Sequence, residues 1–179
     1  MTSTDIIHFW FTELTPKQHY AKDAALDEAI RSRFGATLEA AARCELFAWR
    51  ATPEGRLAEV LVLDQFSRNV YRDAPRAFAQ DALALALAQE LVASGQDSSL
   101  PLAQRSFVYM PYMHSESALV HTQAATLFAQ PGMEDTLRFE LRHKDIIDRF
   151  DRYPHRNALL GRTSTAEELA FLKEPGSSF

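Results

Sequence analysis

The sequence predicts an all-α fold, and three observations support this prediction. Alanine and leucine are abundant while valine and isoleucine are scarce, a balance that favours helix over strand. Apolar residues recur at helical spacing through most of the chain, and no alternating segment is long enough to form a strand. With 179 residues, the chain has the size of one domain, which buries about 70% of its unfolded surface. We therefore expect a single helical domain over residues 1–179, with a loose tail at about 175–179.

Helical spacing and helix-breaking residues predict the elements in order. The predicted helices cover residues 6–11, 23–34, 37–50, 56–72, 74–94, 101–109, 116–130 and 134–152, and a last helix is capped at 163, 164 or 165. Gly35 can end the second helix, and Pro53 separates the third from the fourth. We expect Pro111 to restrict Met110 to extended backbone and Ser115 to cap the next helix.

The segment Arg56–Arg72 is the element around which we expect the others to pack. Leu57–Leu63 is apolar on nearly every face, which a helix tolerates only when it is buried on all sides. Asp64 and Arg68 then continue the same helical stripe. A charge at the end of a buried stripe must be paired or face a water-filled cavity, because desolvating it alone is costly. We therefore predict a polar site at the end of this helix.

Composition excludes several classes of protein. A net charge of −5 and a pI near 5.7 argue against nucleic-acid binding, which usually needs a basic excess. Cys44 is the only cysteine, so neither an intramolecular disulfide nor a thiolate metal cluster is expected. The N-terminus does not resemble a signal peptide, and no apolar run approaches the roughly 20 residues that span a bilayer. We therefore predict a cytoplasmic protein that binds neither nucleic acid nor membrane.

The sequence predicts neither a metal nor a cofactor. It lacks the glycine motifs of P-loop and Rossmann proteins, the zincin motif and the nucleophile motif of α/β-hydrolases. Glu140 and His143 have the spacing seen in di-iron bundles, but that chemistry needs a second such pair, and none occurs. His114 and Glu116 lie near a predicted helix N-terminus, yet a third convergent metal ligand is not evident.

Two groups of residues are candidates for a site, and each has a structural alternative. Asp64 and Arg68 form either an ion pair that closes a helix end or a carboxylate beside an anion clamp. His143 shares an apolar stripe with Phe139 and Ile146. It is either a core residue with satisfied hydrogen bonds or an acid–base group.

A third candidate is the stretch from Arg152 to Arg162, the most basic short region of this acidic protein. A solvated charged face would account for most of its charges. The run His155, Arg156 and Asn157 around a proline corner is equally suited to bind phosphate or carboxylate.

Three strings in the chain resemble one known family: Leu63–Asn69, Met110–Glu116 and Pro154–Arg162. Together they are similar to a bacterial domain-of-unknown-function family, number nine-two-four. Phe9–Phe11 and Asp27–Phe34 extend the resemblance over essentially the whole chain. The resemblance implies a tetratricopeptide-like arrangement of antiparallel helix pairs in a compact right-handed superhelix. It implies no established activity, so function must be argued from the site.

Three positions depart from the family pattern. Ser67 stands where the family usually has proline, Asp151 where it usually has glycine, and Ser117 where an acid is common. These departures concern the local geometry of the helix ends.

We predict one polar pocket that binds a small anionic molecule or an acidic peptide segment through arginine clamps and helix N-termini. The predicted ligand-binding residues are Asp64, Gln65, Arg68, Asn69, Arg72, His114, Glu116, His143, His155, Arg156, Asn157 and Arg162. The first alternative is a hydrolase or lyase with His114 or His143 as acid–base group, oriented by Asp64 or Glu116. The second alternative is a polar cluster that only specifies the fold.

Overall fold

The structure, a computed structural model, describes residues 1–178, and these residues form helices joined by turns, without a strand. The described α-helices are α1 (Ser3–His8), α2 (Ala24–Ala42), α3 (Pro53–Leu61), α4 (Ser67–Val70), α5 (Asp81–Ala93), α6 (Leu102–Met113), α7 (Ala118–Phe128), α8 (Glu134–Phe150) and α9 (Ala166–Phe171). The all-α prediction is confirmed. No helix in the described part of the chain is long and apolar enough to span a membrane.

The chain divides into two compact units. Unit 1 comprises Met1–Arg72 and Arg76–Pro111, and unit 2 comprises Asp73–Pro75 and the chain from Tyr112 onward. The expectation of one domain over residues 1–179 stays a prediction.

The centre of unit 1 is a continuous helical stretch made of α3, a π-helical turn (Val62–Phe66) and α4. Its N-terminus is capped by Thr52, whose side chain accepts a hydrogen bond from the Gly55 N–H at 3.1 Å. Every residue of Leu57–Leu63 is buried, at no more than 1% exposure, as the apolar run predicts. Since α1, α2 and α5 all pack against this stretch, it is the core element of unit 1.

The π-helical turn lies where the sequence changes from apolar to polar. It contains Asp64 and Gln65, and Ser67 follows it directly. A π-turn inserts one extra residue into a helix and so rotates the side chains that follow, a device found often at functional sites. The departure from the family pattern at Ser67 therefore falls at the junction between the π-turn and α4.

One predicted break, at Gly35, is absent because packing outweighs local propensity. α2 runs through Gly35 as a single helix of 19 residues, so the prediction of two separate helices here was wrong. A glycine inside a helix costs about 1 kcal/mol relative to alanine. The burial of Ile30, Phe34 and Leu38 on either side of it exceeds that cost.

The predicted break at Pro111 is also absent. α6 continues through Pro111 to Met113, so the extended backbone expected at Met110 was wrong. Met110 and Met113 are buried, and this burial supports the last turn of the helix around the proline. The cap predicted at Ser115 was wrong as well, because Ser117 occupies the N-cap position of α7 and makes no side-chain capping bond there.

Unit 2 contains α7 and α8, which pack against each other, and the short helix α9. Thr165 and Glu168 form the predicted capping box at the start of α9, with both reciprocal hydrogen bonds present. The tail is packed at Ser177, which is buried and donates a hydrogen bond to the Leu172 carbonyl at 3.2 Å. The looseness of the tail at about 175–179 stays a prediction, and Phe179 lies outside the described residues.

Asp151 ends α8 with a left-handed backbone, at a φ of 55°. Glycine, which the resemblance implies at this position, adopts this conformation without the steric cost that a Cβ brings in the left-handed region.

We expect Asp151→Gly to raise the free energy of unfolding by about 0.5–1 kcal/mol, because glycine adopts positive φ without steric cost. The matched control is Asp145→Gly, an exposed residue within α8. That change should lower the free energy of unfolding by about 0.5 kcal/mol, because glycine is a poor helix former. Urea denaturation of both variants measures the two effects, and a loss of stability in Asp151→Gly would contradict the prediction.

Candidate functional site

The predicted site residues fall into two clusters, one in each unit. The first cluster, in unit 1, contains Asp64, Gln65, Arg68, Asn69 and Arg72. The second cluster, in unit 2, contains His114, Glu116, His143, His155, Arg156, Asn157 and Arg162. That the two clusters line one pocket stays a prediction. An open groove of about 310 Å³ in unit 1, lined by Ser3, Thr4, Ile7, Thr52 and Glu54, contains no member of either cluster.

In the first cluster, the predicted pair between Asp64 and Arg68 is present. The Arg68 Nη1 atom lies 3.2 Å from Asp64 Oδ1 and also donates to the Asp64 carbonyl at 2.7 Å. The same guanidinium binds both carboxylate oxygens of Asp81, at 3.0 and 3.1 Å. The Gln65 side chain donates to the second oxygen of Asp64 at 2.6 Å. Arg68 therefore joins the π-turn to the first turn of α5.

The other arginine of the first cluster binds Asp27 on α2, which the sequence did not identify as a site residue. Arg72 donates through Nε and, at 2.7 Å, through Nη2 to this carboxylate, and Asn69 Nδ2 donates to it at 2.8 Å. Burial acts to raise the pKa of Asp27, but the hydrogen bonds from Arg72 and Asn69 outweigh it and hold the pKa below its usual value. Asp27 is thus a buried, ionised partner for Arg72.

Each of the two arginines of the first cluster, Arg68 and Arg72, has its guanidinium fork occupied by a carboxylate of the same unit. Such a network joins three elements and leaves little of either fork for a ligand. The geometry of this cluster therefore favours the structural alternative.

We expect Asp27→Asn to lower the free energy of unfolding by about 2 kcal/mol, because it leaves a partly buried guanidinium without its carboxylate. The control is Asp135→Asn, whose pair with Arg138 is largely exposed. Exposed pairs contribute little, so this change should stay within about 0.5 kcal/mol. Chemical denaturation compares the two variants. Equal effects would show that the Asp27 network does not stabilise unit 1.

The second cluster surrounds Tyr153, a fully buried residue just after α8 that sequence reasoning missed. Its hydroxyl donates to the Met113 carbonyl, and its backbone N–H donates to Glu116 Oε1 at 2.8 Å. Its carbonyl accepts a hydrogen bond from Arg162 Nη2 at 3.2 Å. The sequence feature that could have indicated Tyr153 is Pro154. A proline restricts the residue before it to extended backbone, which leaves the N–H and the carbonyl of Tyr153 available to partners outside a helix.

Three imidazoles and a guanidinium pack around the Tyr153 ring. The ring centroids of His121, His143 and His155 lie 6.3, 5.8 and 5.6 Å from it. The guanidinium carbon of Arg156 lies 4.6 Å above its face, a cation–π contact. The tyrosine thus brings together histidines from α7, α8 and the turn that follows α8.

Glu116 and Arg162 form a bidentate ion pair next to Tyr153. The two Glu116 oxygens accept from Arg162 Nη1 and Nη2 at 2.6 and 2.9 Å. Burial acts to raise the pKa of Glu116, but the hydrogen bonds from Arg162 and Tyr153 and the positive charge of Arg156 hold the pKa below its usual value. A guanidinium fork and a backbone N–H therefore hold an ionised carboxylate here.

A buried pair between His121 and Glu140, which the sequence did not predict, completes the cluster. His121 Nδ1 lies 2.7 Å from Glu140 Oε1, and both side chains are fully buried. His121 Nε2 lies 2.8 Å from the Ser115 carbonyl, which can only accept, so we assign a proton to Nε2. Burial raises the pKa of Glu140, and the hydrogen bond from His121 partly offsets it. The pair joins two consecutive helices, α7 and α8, and the spacing of residues within either helix alone does not reveal it.

His143 is held as a neutral imidazole. Its Nδ1 lies 2.7 Å from the Phe139 carbonyl one turn earlier, so Nδ1 carries the proton and Nε2 the lone pair. The pKa of His143 is lowered to about 3, mainly by burial; the hydrogen bond to the Phe139 carbonyl opposes this shift, and the neighbouring histidines contribute to it. The predicted apolar stripe is corrected at Phe139, which is 53% exposed, while Ile146 is buried. Among the described residues, no group of three side chains is arranged to hold a metal ion.

The side chains of the basic stretch after α8 are paired or buried to a larger extent than those of a solvated face would be. Arg152 is paired with Glu168 by two hydrogen bonds, at 2.6 and 2.8 Å, and Arg156 is buried. The Asn157 side chain is buried and donates to Ser164 at 3.0 Å. The solvated-face interpretation therefore does not hold for Arg152 and Arg156. His155 and His114 are both partly exposed.

We expect acid to destabilise the protein through His143. Above pH 6.5 this imidazole is neutral in both states and contributes nothing. As the pH falls from 6.5 towards about 3, the unfolded chain binds a proton that the folded protein does not, so stability decreases. The full loss, reached near pH 3, is about 5 kcal/mol for this residue.

Denaturation measured at several pH values gives the free energy of unfolding as a function of pH. Between pH 6.5 and about 3 this free energy should decrease less in His143→Gln than in the unchanged protein. Ile146→Val is the control, because it removes buried volume without an ionisable group and so lowers stability by the same amount at each pH. An unchanged slope in His143→Gln would show that this histidine does not govern the acid response.

Comparison with known proteins places the chain among relatives without an assigned activity. A family model for bacterial proteins of unknown function, DUF924, matches residues 6–176. A solved structure of a protein of unknown function from Agrobacterium tumefaciens is 37% identical and has a TM-score of 0.91, over 96% of each chain. No curated protein matches the sequence. The resemblance found in the sequence strings is confirmed.

Proposed function

We propose that this chain, which belongs to the DUF924 family of bacterial proteins of unknown function, binds a small anionic molecule or an acidic peptide segment through the second cluster. The observation that supports the proposal is the coordination of the Glu116 carboxylate. Arg162 holds both of its oxygens, and the Tyr153 N–H binds one of them. Guanidinium forks and backbone N–H groups are the usual means by which proteins recognise carboxylates.

The charge around this position supports the same proposal. The protein has a net charge of −5, yet the positive charges of Arg162 and Arg156 both act on the Glu116 carboxylate. A locally positive field in an acidic protein favours anionic ligands at short range. The first cluster supports the proposal less, because carboxylates of its own unit fill its guanidinium forks.

The proposal includes a tetratricopeptide-like arrangement of helix pairs and a cytoplasmic location. The pair α7 and α8 supports the first part, since a connection of a few residues joins two helices that pack against each other. Helix-pair proteins commonly use their inner surface to bind peptides or small ligands.

His143 supports a second candidate function, acid–base catalysis by a hydrolase or lyase. The Phe139 carbonyl fixes its tautomer, with the lone pair on Nε2. Because burial lowers the pKa of this imidazole, catalysis in this alternative requires that a bound substrate raise the pKa again before Nε2 takes up a proton. In this alternative Glu116, in the same unit, orients the substrate or the histidine.

Arg162→Lys tests the binding proposal, because lysine keeps the charge but loses the planar fork. We expect native mass spectrometry of the purified protein to show a bound anion that this variant loses. Arg138→Lys on the exposed face of α8 is the matched control and should keep the anion. The Tm of Arg162→Lys should stay within about 5 °C of the original, so that loss of ligand is separated from loss of fold.

Each result distinguishes the candidate functions. Binding is refuted if the unchanged protein carries no anion and no carboxylate or phosphate raises its Tm. Unfolding of Arg162→Lys would favour the structural alternative. An enzyme requires that His143→Asn keep the ligand but lose its conversion.

A further inference from the structure

We infer that Glu116 is the resident occupant of a carboxylate subsite, formed by the Arg162 guanidinium and the Tyr153 N–H, and that a carboxylate of the ligand replaces it on binding. This inference rests on the proposed function and deepens it. It names the chemical class of the group recognised, a planar carboxylate, and the step by which the site opens.

The subsite is held in place by contacts that do not involve Glu116. The Arg162 side chain also donates to the Tyr153 carbonyl, and the Arg162 backbone N–H donates to the Asn157 carbonyl at 2.8 Å. Tyr153 is held by its hydroxyl bond to Met113 and by the His121 nitrogen 3.2 Å away. The guanidinium and the N–H therefore keep their positions when the Glu116 side chain moves.

Glu116 is placed where its side chain can leave. It lies in the short segment between α6 and α7, outside either helix. About a quarter of its side chain is exposed, at 26%, and the Arg162 side chain is exposed to a similar extent, at 25%. Ion pairs that reach solvent are held weakly compared with buried ones, so exchange with an external carboxylate is feasible.

Leaving the subsite empty is energetically unfavourable. Tyr153 is fully buried, and its N–H loses the Glu116 oxygen as an acceptor when Glu116 leaves. A buried N–H without an acceptor is unfavourable. The exchange is therefore a replacement of one carboxylate by another. The two parallel bonds from Nη1 and Nη2, with the Tyr153 N–H beside them, show that the group already held here is a planar carboxylate.

Glu116→Ala opens the subsite, and acetate is the probe. We expect sodium acetate to raise the Tm of this variant by about 5 °C near saturation, because the ion binds only the folded state. Sodium chloride and sodium sulfate at equal ionic strength should have a smaller effect. The double variant Glu116→Ala with Arg162→Ala should not respond to acetate. Glu116→Gln keeps the side-chain volume and serves as a second variant if Glu116→Ala fails to fold.

Exchange in the unchanged protein is measured by NMR of the Glu116 side-chain carboxyl carbon. We expect acetate, but not chloride, to shift this signal, with a midpoint about tenfold above that of Glu116→Ala because the internal carboxylate competes. The inference is overturned if acetate stabilises Glu116→Ala no more than chloride does, or if the Glu116 signal in the unchanged protein does not respond. If acetate exchanges but the purified protein retains no anion and responds to no larger carboxylate or phosphate, the subsite stands and the proposed function fails.

Discussion

The hydrogen bonds of the buried residue Tyr153 are the interaction on which the second cluster depends. Tyr153 takes part in the cluster through its main chain as well as its side chain. Its N–H, carbonyl and hydroxyl bind Glu116, Arg162 and Met113 respectively. Because the residue is fully buried, each of these groups requires a partner inside the protein. Proline at 154 keeps the backbone extended at Tyr153, which directs its two main-chain groups towards different partners. A single residue thus fixes the segment after α6 to the turn after α8.

The two clusters use the same residue types for different purposes. In the first cluster, Arg68 and Arg72 join α5 and α2 to the central helix through carboxylates on those helices. In the second, Arg162 binds a carboxylate from a connecting segment, where a side chain can move without disrupting a helix. The location of the carboxylate, on a packed helix or on a connection, is what separates a structural pair from one open to exchange.

Local pattern predicted the features that depend on neighbouring residues. The apolar run Leu57–Leu63 identified the buried central helix, and the spacing of Thr165 and Glu168 identified the capping box of α9. The pattern failed at Gly35 and Pro111, where burial of the flanking side chains outweighs the local tendency to break a helix. Such burial comes from tertiary packing, which helix propensity does not contain.

The site residues were predicted only in part, because local sequence pattern does not contain tertiary contacts. Glu116 and Arg162 were identified from their residue types near helix ends, but not as partners, because 46 residues separate them. The roles of Tyr153, His121 and Asp27 were missed, since the local sequence around each of them does not indicate its partner. Their importance comes from a partner on another element, as with Glu140 for His121 and Arg72 for Asp27.

The buried pair of His121 and Glu140 explains why Glu116 can serve as an exchangeable group. His121 fixes the Ser115 carbonyl, one residue before Glu116, so the backbone of this segment is held independently of the Glu116 side chain. If the ion pair with Arg162 were the only contact fixing the segment, removing the carboxylate would release the backbone and disorder the subsite. With the backbone fixed by a fully buried pair, the change on exchange is confined to one side chain. The buried pair thus fixes the position of the segment, and the partly exposed pair of Glu116 and Arg162 is the one that exchanges.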